Sequence, residues 1–263
     1  MRICFHGSIL VLAVLGCSTF LLAQTSKPSG AAKSAPDLSG VWNRAGGRTA
    51  AGILEDDPGG VPFLGLTKQE PSLQPAALKI YQSNRQGVAD ARAKGRDDSD
   101  PSTSCFPPGP TRIFTAPRPF EVRQAPDVVY IVSEIDHWVR RIYMDGRAHP
   151  DGYPSTWMGH SIGKYDGDAL VVDTVAVNEG TWIDSLGHPH SDELHLVERF
   201  RRANPKSLEY EVTVEDSKDY TKPWTGKKAY QLQPASLEMK EDVICDQYRK
   251  PGLRSDGFEF IKP

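Results

Sequence analysis

Cysteine is scarce in this sequence, with four residues in 263, and no two of them form a CxxC pair. That spacing excludes a zinc knuckle or ribbon and a thioredoxin-type redox motif. An excess of one charge is lacking too: 31 Lys and Arg stand against 34 Asp and Glu, a formal net charge of −3. Positive runs such as Arg199–Arg202 stay isolated, and no basic stripe with interleaved aromatics excuses a nucleic-acid reading. Phosphate loops, dinucleotide fingerprints and zinc-protease helices are all missing. So is the Gly-x-Ser-x-Gly elbow: Gly159-His160-Ser161-Ile162-Gly163 inverts its middle order and precedes a hairpin rather than a helix. Long apolar runs are limited to Ser8–Ala23, and there is no internal repeat or heptad.

That single apolar run reads as a targeting segment. Residues 1–23 have the layout of a signal peptide, with Arg2 as the positive end and polar Gln24-Thr25-Ser26-Lys27 directly after Ala23. Two processing routes fit it: cleavage after Ala23, or lipidation of Cys17 in Val14-Leu15-Gly16-Cys17, which would leave a lipid anchor. Either route predicts a periplasmic or secreted protein with no membrane span in the mature chain. Residues 24–36, rich in Ser, Ala, Lys and Pro, predict a flexible linker. Residues 37–263 are left as one domain. In an oxidising compartment the remaining Cys105 and Cys245 are expected to pair as a disulfide.

The domain's periodicity is that of strands. Pro119–Gln124 and Val128–Asp136 flank Ala125-Pro126-Asp127, and Trp138–Met144 ends at Asp145-Gly146. Trp157–Tyr165 and Asp168–Val177 flank Asp166-Gly167, and Leu194–Arg202 and Ser207–Asp216 flank Ala203-Asn204-Pro205-Lys206. These are hairpin signals. With Asp37–Asn43, Lys227–Gln233 and Val243–Tyr248 they predict an all-β fold: an antiparallel meander closing into a barrel of about 8–10 strands, which removes exposed edges. Leu73–Ala93 has the composition of one helix, inside an insertion over residues 44–112.

Side chains alternate across a strand, so residue parity tells which ones share a face. Glu198 shares a face with Leu194, Leu196 and Phe200; Asp173 shares one with Val171, Val175 and Val177. Either Arg140, with Trp138, Ile142 and Met144, or Arg141, with Val139 and Tyr143, must face inward. A charge on an apolar face has to be paired or hydrogen-bonded. Glu198, Asp173 and an arginine would therefore meet inside the barrel, as a structural ion network or as the polar floor of a pocket. Arg140, Arg141, Tyr143, Trp157 and Trp182 are the candidate ligand contacts.

Histidines supply the other lead. Three of them crowd into Gly187-His188-Pro189-His190-Ser191-Asp192-Glu193-Leu194-His195, and His160 stands apart. Histidine titrates near neutrality, so His160, His190 and His195 with Asp173 and Glu198 are the candidate catalytic groups. Two histidines two apart on extended chain point the same way. His188, His190 and His195 are therefore candidate ligands for a divalent transition metal; otherwise no cofactor is expected.

Gly40-Val41-Trp42 resembles the Gly-x-Trp of the first strand in lipocalins and related calycin barrels, which implies a tryptophan packed across a closed barrel end. Three further blocks run from Arg140 to Arg147, from Gly159 to Thr174 and from His190 to Phe200. They resemble the motif blocks of a family of secreted proteins of unassigned activity from soil and environmental bacteria. The resemblance covers residues 37–248 and implies export and a shared architecture, not a reaction. The expected function is binding of a small, largely apolar ligand in the barrel cavity. The alternative is an acid/base isomerase, cyclase or hydrolase on the same barrel.

Overall fold

The computed structural model describes residues 35–45, 56–57, 60–94, 100–104 and 106–240. The signal segment with Cys17, most of the linker, Cys105, Cys245 and the strand expected at Val243–Tyr248 lie outside the described residues.

Among the described residues nine strands form: β1 (Gly40–Arg44), β2 (Phe120–Ala125), β3 (Val128–Ser133), β4 (Val139–Tyr143), β5 (His160–Asp166), β6 (Ala169–Val175), β7 (His195–Asn204), β8 (Ser207–Glu215) and β9 (Trp224–Leu232). They close into a barrel in chain order, β1 pairing with both β2 and β9. One helix, α1 (Pro75–Ala93), lies in the insertion between β1 and β2. The expected all-β, lipocalin-like barrel is the fold.

Tight turns set the register. The β5–β6 hairpin closes on Asp166 opposite Ala169, so its two-residue loop is Gly167-Asp168. Gly167 has φ +62°, a value glycine takes without steric cost. Pro126-Asp127 and Pro205-Lys206 fill the corresponding places between β2 and β3 and between β7 and β8. One pair departs from the expected antiparallel meander: β4 and β5 run parallel, joined by a crossover over residues 144–159. The departure has a topological cause. With nine strands, strict up-and-down alternation would make β1 and β9 run the same way, and the single parallel step restores an antiparallel closure between them.

Alternation places Leu208, Tyr210, Val212 and Val214 of β8 inside the barrel and Glu209, Glu211 and Glu215 outside. The interior is packed with rings. Phe114, on a 3-10 turn just before β2, reaches into it and lies 5.2 Å from Phe120, 5.3 Å from Phe200 and 4.3 Å from Tyr210. The Tyr230 hydroxyl donates to Phe114 O at 2.5 Å. Burying one such aromatic contributes about 1.5–3 kcal/mol. Trp42 is fully enclosed; its indole N–H donates to Leu38 O at 2.9 Å, and the Arg202 guanidinium lies 5.5 Å over its ring. The insertion packs against the barrel through Arg44 and Lys228, which both pair with Asp57, and the Lys228 ammonium also donates to Pro62 O at 2.8 Å. The backbone N–H of Lys227 donates to Leu66 O at 2.7 Å, where a Cβ on Gly226 would lie 2.7 Å from Leu66 Cβ.

Candidate functional site

The predicted charged residues meet one another in two clusters, one inside the barrel wall and one outside. Inside, the arginine that faces inward is Arg140, not Arg141: both Arg140 and Glu198 have fully buried side chains. Arg140 Nη1 donates to Glu198 Oε1 at 2.9 Å, and Nη2 donates to Oε2. Nη2 also reaches Thr174 Oγ1 at 2.9 Å and Ser161 Oγ at 3.2 Å, and Tyr210 OH donates to Glu198 Oε1 at 2.9 Å. Burial works to lower the Arg140 pKa, but the Glu198 charge outweighs it and raises the value. Burial pushes the Tyr210 hydroxyl well above the ordinary tyrosine range. Every member has a partner, as a buried polar network requires. The pair locks β4 to β7 through side chains of β5, β6 and β8.

Asp173 does not join it. On β6 the inward residues are Leu170, Val172 and Thr174, which puts Asp173 on the outer wall with Val171 and Val175. Valines stand on both faces of this strand, so alternation alone left its inside undetermined.

Outside, five residues from four elements form one hydrogen-bonded chain. His160 Nδ1 lies 2.7 Å from His149 Nδ1. His149 Nε2 lies 3.1 Å from Asp173 Oδ1, and His195 Nε2 approaches that same oxygen at 3.0 Å. His195 Nδ1 then meets Glu215 Oε2 at 2.9 Å. The strands fix this geometry: β5, β6, β7 and β8 are consecutive neighbours, Asp173 pairs with Val197 two residues along from His195, and His195 pairs directly with Glu215. Only His149 comes from the crossover.

Carboxylates dictate the protons. Both ring nitrogens of His195 face an acceptor, so that ring is held as an imidazolium that donates to Asp173 and Glu215. His149 faces Asp173 through Nε2 and His160 through Nδ1. Burial lowers the His195 pKa, but the Glu215 and Asp173 carboxylates more than reverse this and raise it. His160 is lowered, first by burial and then by the charges of His149 and Arg147. It sits under Tyr143, stacked at 5.4 Å, and Tyr153 at 4.7 Å. Access differs accordingly: the side chains of Asp173 and His195 are 43% and 34% exposed, whereas the His160 residue is only 4% exposed.

The remaining predicted residues are elsewhere. His188 is buried between Asp184 Oδ2, 2.8 Å from Nδ1, and Glu70 Oε1, 2.9 Å from Nε2, and stacks on Tyr81 of α1 at 4.3 Å. Burial would lower its pKa, yet the two carboxylates raise it to about 9. His190 is buried against Thr181 Oγ1 at 2.7 Å and donates to Ser191 O at 2.9 Å; burial lowers its pKa. His188, His190 and His195 thus keep separate partners, and among the described residues no three His, Cys, Asp or Glu side chains are gathered as a metal site. Arg141 is exposed on the outer wall. Tyr143 lies between His160 and the Arg147 guanidinium, which is 3.9 Å from its ring. Trp157 packs 5.5 Å from Phe106, and Trp182 is buried with the Arg112 guanidinium 5.2 Å from its ring. The outer chain therefore unites His160, Asp173 and His195 of the predicted set, without Glu198 or His190. It adds His149 and Glu215. Glu215 was available from strand register, since it is the cross-strand partner of His195; His149 stands in an irregular segment with no local pattern to mark it.

A cleft of about 490 Å³ opens beside this chain, with His195 and Glu215 in its wall along with Glu193, Asp216, Tyr220 and Lys222. Compared with known proteins, the chain matches no family model, no curated protein and no solved structure.

Proposed function

We propose that this chain is an exported barrel protein that binds a small organic molecule against its outer wall and moves protons on it by general acid–base catalysis. The observation that carries the reading is the shared Asp173 oxygen, which joins His195, whose pKa is raised, to His149 and through His149 to His160, whose pKa is lowered. Environments that push paired titratable groups apart assign an acid and a base. His195, whose pKa the two carboxylates raise, is the proton source: the proton on Nδ1 passes to Glu215, which lines the cleft and delivers it to the substrate. Both histidines engage Oδ1 of Asp173, so Oδ2 is the oxygen left to accept a substrate proton. The His149–His160 pair behind it fixes the carboxylate. Reactions that such a pair serves are isomerisation, cyclisation and hydrolysis, in which a proton leaves one atom and another arrives nearby.

The barrel interior fits a binding role less well. The buried Arg140 and Glu198 answer one another, and aromatic rings fill the space around Phe114.

Turnover of a panel of small esters, lactones and enolisable ketones tests the proposal. The expected result is activity that Asp173→Asn and His195→Gln each reduce by about 10²–10⁴-fold while His190→Ala leaves it unchanged. Activity that survives Asp173→Asn would overturn it.

A further inference from the structure

The cleft beside His195 carries information about the substrate, and this inference rests on the acid–base reading of that residue. Each carboxylate in its wall is already partnered. Glu215 meets His195 Nδ1. Glu193 pairs with Lys218 Nζ at 3.2 Å and accepts from Ser217 Oγ at 3.1 Å. Asp216 accepts from Ser191 N at 2.6 Å, Ser191 Oγ at 2.8 Å, Lys218 N at 3.1 Å and Asp219 N at 3.1 Å. Lys218 in turn is engaged by Asp192 at 2.7 Å as well as by Glu193. The wall's remaining charged group is Lys222, exposed and without an ion pair or hydrogen bond among the described residues. Tyr220 also lines the cleft; it is buried, with its hydroxyl committed to Pro189 O at 2.8 Å, which leaves ring carbon rather than a polar group toward the cleft.

We propose that this cleft binds a small organic carboxylate, its anionic end at the Lys222 ammonium, its short apolar body against Tyr220 and Pro223, and its reacting atoms toward His195. A cationic ligand would find only carboxylates that already have partners and would meet Lys222 and the His195 imidazolium as like charges.

Propionate is the probe, titrated into the intact protein while the His195 ring and the backbone amides of residues 215–222 are followed by NMR. The expected result is saturable binding with a Kd on the order of millimolar, as befits one solvent-facing ion pair and a short apolar contact. Lys222→Gln should weaken it by about three- to tenfold, and tetramethylammonium should shift nothing. Lys222 is exposed, so that variant retains the fold. No saturable shift with propionate, equal affinity in Lys222→Gln, or tighter binding of tetramethylammonium or inorganic phosphate would each overturn the inference. The His160 and His195 titrations recorded without propionate read the acid–base reading separately, so the failure of one is distinguishable from the failure of the other.

Discussion

Replacing Glu198 by Ala removes the carboxylate that pairs with Arg140, a guanidinium that has no access to water. Arg140 would keep Thr174 and Ser161 as acceptors but lose both contacts to Glu198, and Tyr210 would lose the acceptor of its hydroxyl. Breaking a buried ion pair from one side costs about 3–5 kcal/mol, because an uncompensated charge stays behind. For a domain of this size that corresponds to a fall in Tm of roughly 6–20 °C. Glu198→Gln preserves shape and an acceptor for Tyr210, so it should fall between wild type and Glu198→Ala. The double variant Arg140→Met, Glu198→Leu removes both charges together and should recover most of the loss, since well-packed apolar replacements of such pairs are often neutral or stabilising. Urea unfolding of the four proteins at pH 7 measures this. A Glu198→Ala cost below about 1 kcal/mol, or a double variant as unstable as the single one, would refute the reasoning that the pair is enclosed and mutually satisfied.

Phe114→Ala should empty the centre of the ring cluster and cost about 3–5 kcal/mol in urea unfolding; a smaller loss would mean that Phe114 does not fill the barrel. His188 has a folded-state pKa raised to about 9. Its contribution is therefore fully present below pH 6.5 and is lost as pH rises through 9, about 3 kcal/mol in all. Stability measured from pH 6 to 10 in wild type and His188→Gln should differ in slope over that window; parallel curves would contradict the ion-pair account of His188.

Much of the barrel was legible because its strands are half-buried in an orderly way. Tyr210, Val212 and Val214 against Glu209, Glu211 and Glu215 permit one inside only, and Glu198 among Leu196 and Phe200 marked a buried pair before any partner was known. Turn chemistry at Asp166-Gly167 and over Ala203-Asn204-Pro205-Lys206 announced the hairpins on either side. Asp173 was misplaced for a physical reason: valines flank it on both faces, so parity gives its companions without telling which face is inside. The parallel β4–β5 step was hidden because a crossover of irregular chain has no periodicity of its own. His149 was hidden by the same segment, since only the fold brings it to Asp173. His188 and His190 looked like ligands by spacing, and each turned out to be buried with its own partners, because the loop from Asp184 to Ser191 folds back on itself and on α1.

The central claim is that Asp173 works as a base beside His195 as the proton source, with His160 held behind it through His149. Titrating the ring nitrogens of His149, His160 and His195 by long-range ¹H–¹⁵N NMR, in wild type and in Asp173→Asn, tests it most directly. The account predicts that His195 titrates above the ordinary histidine range and His160 below it, and that Asp173→Asn brings His195 down. Three histidines titrating together near their ordinary value, unchanged by Asp173→Asn, would contradict it.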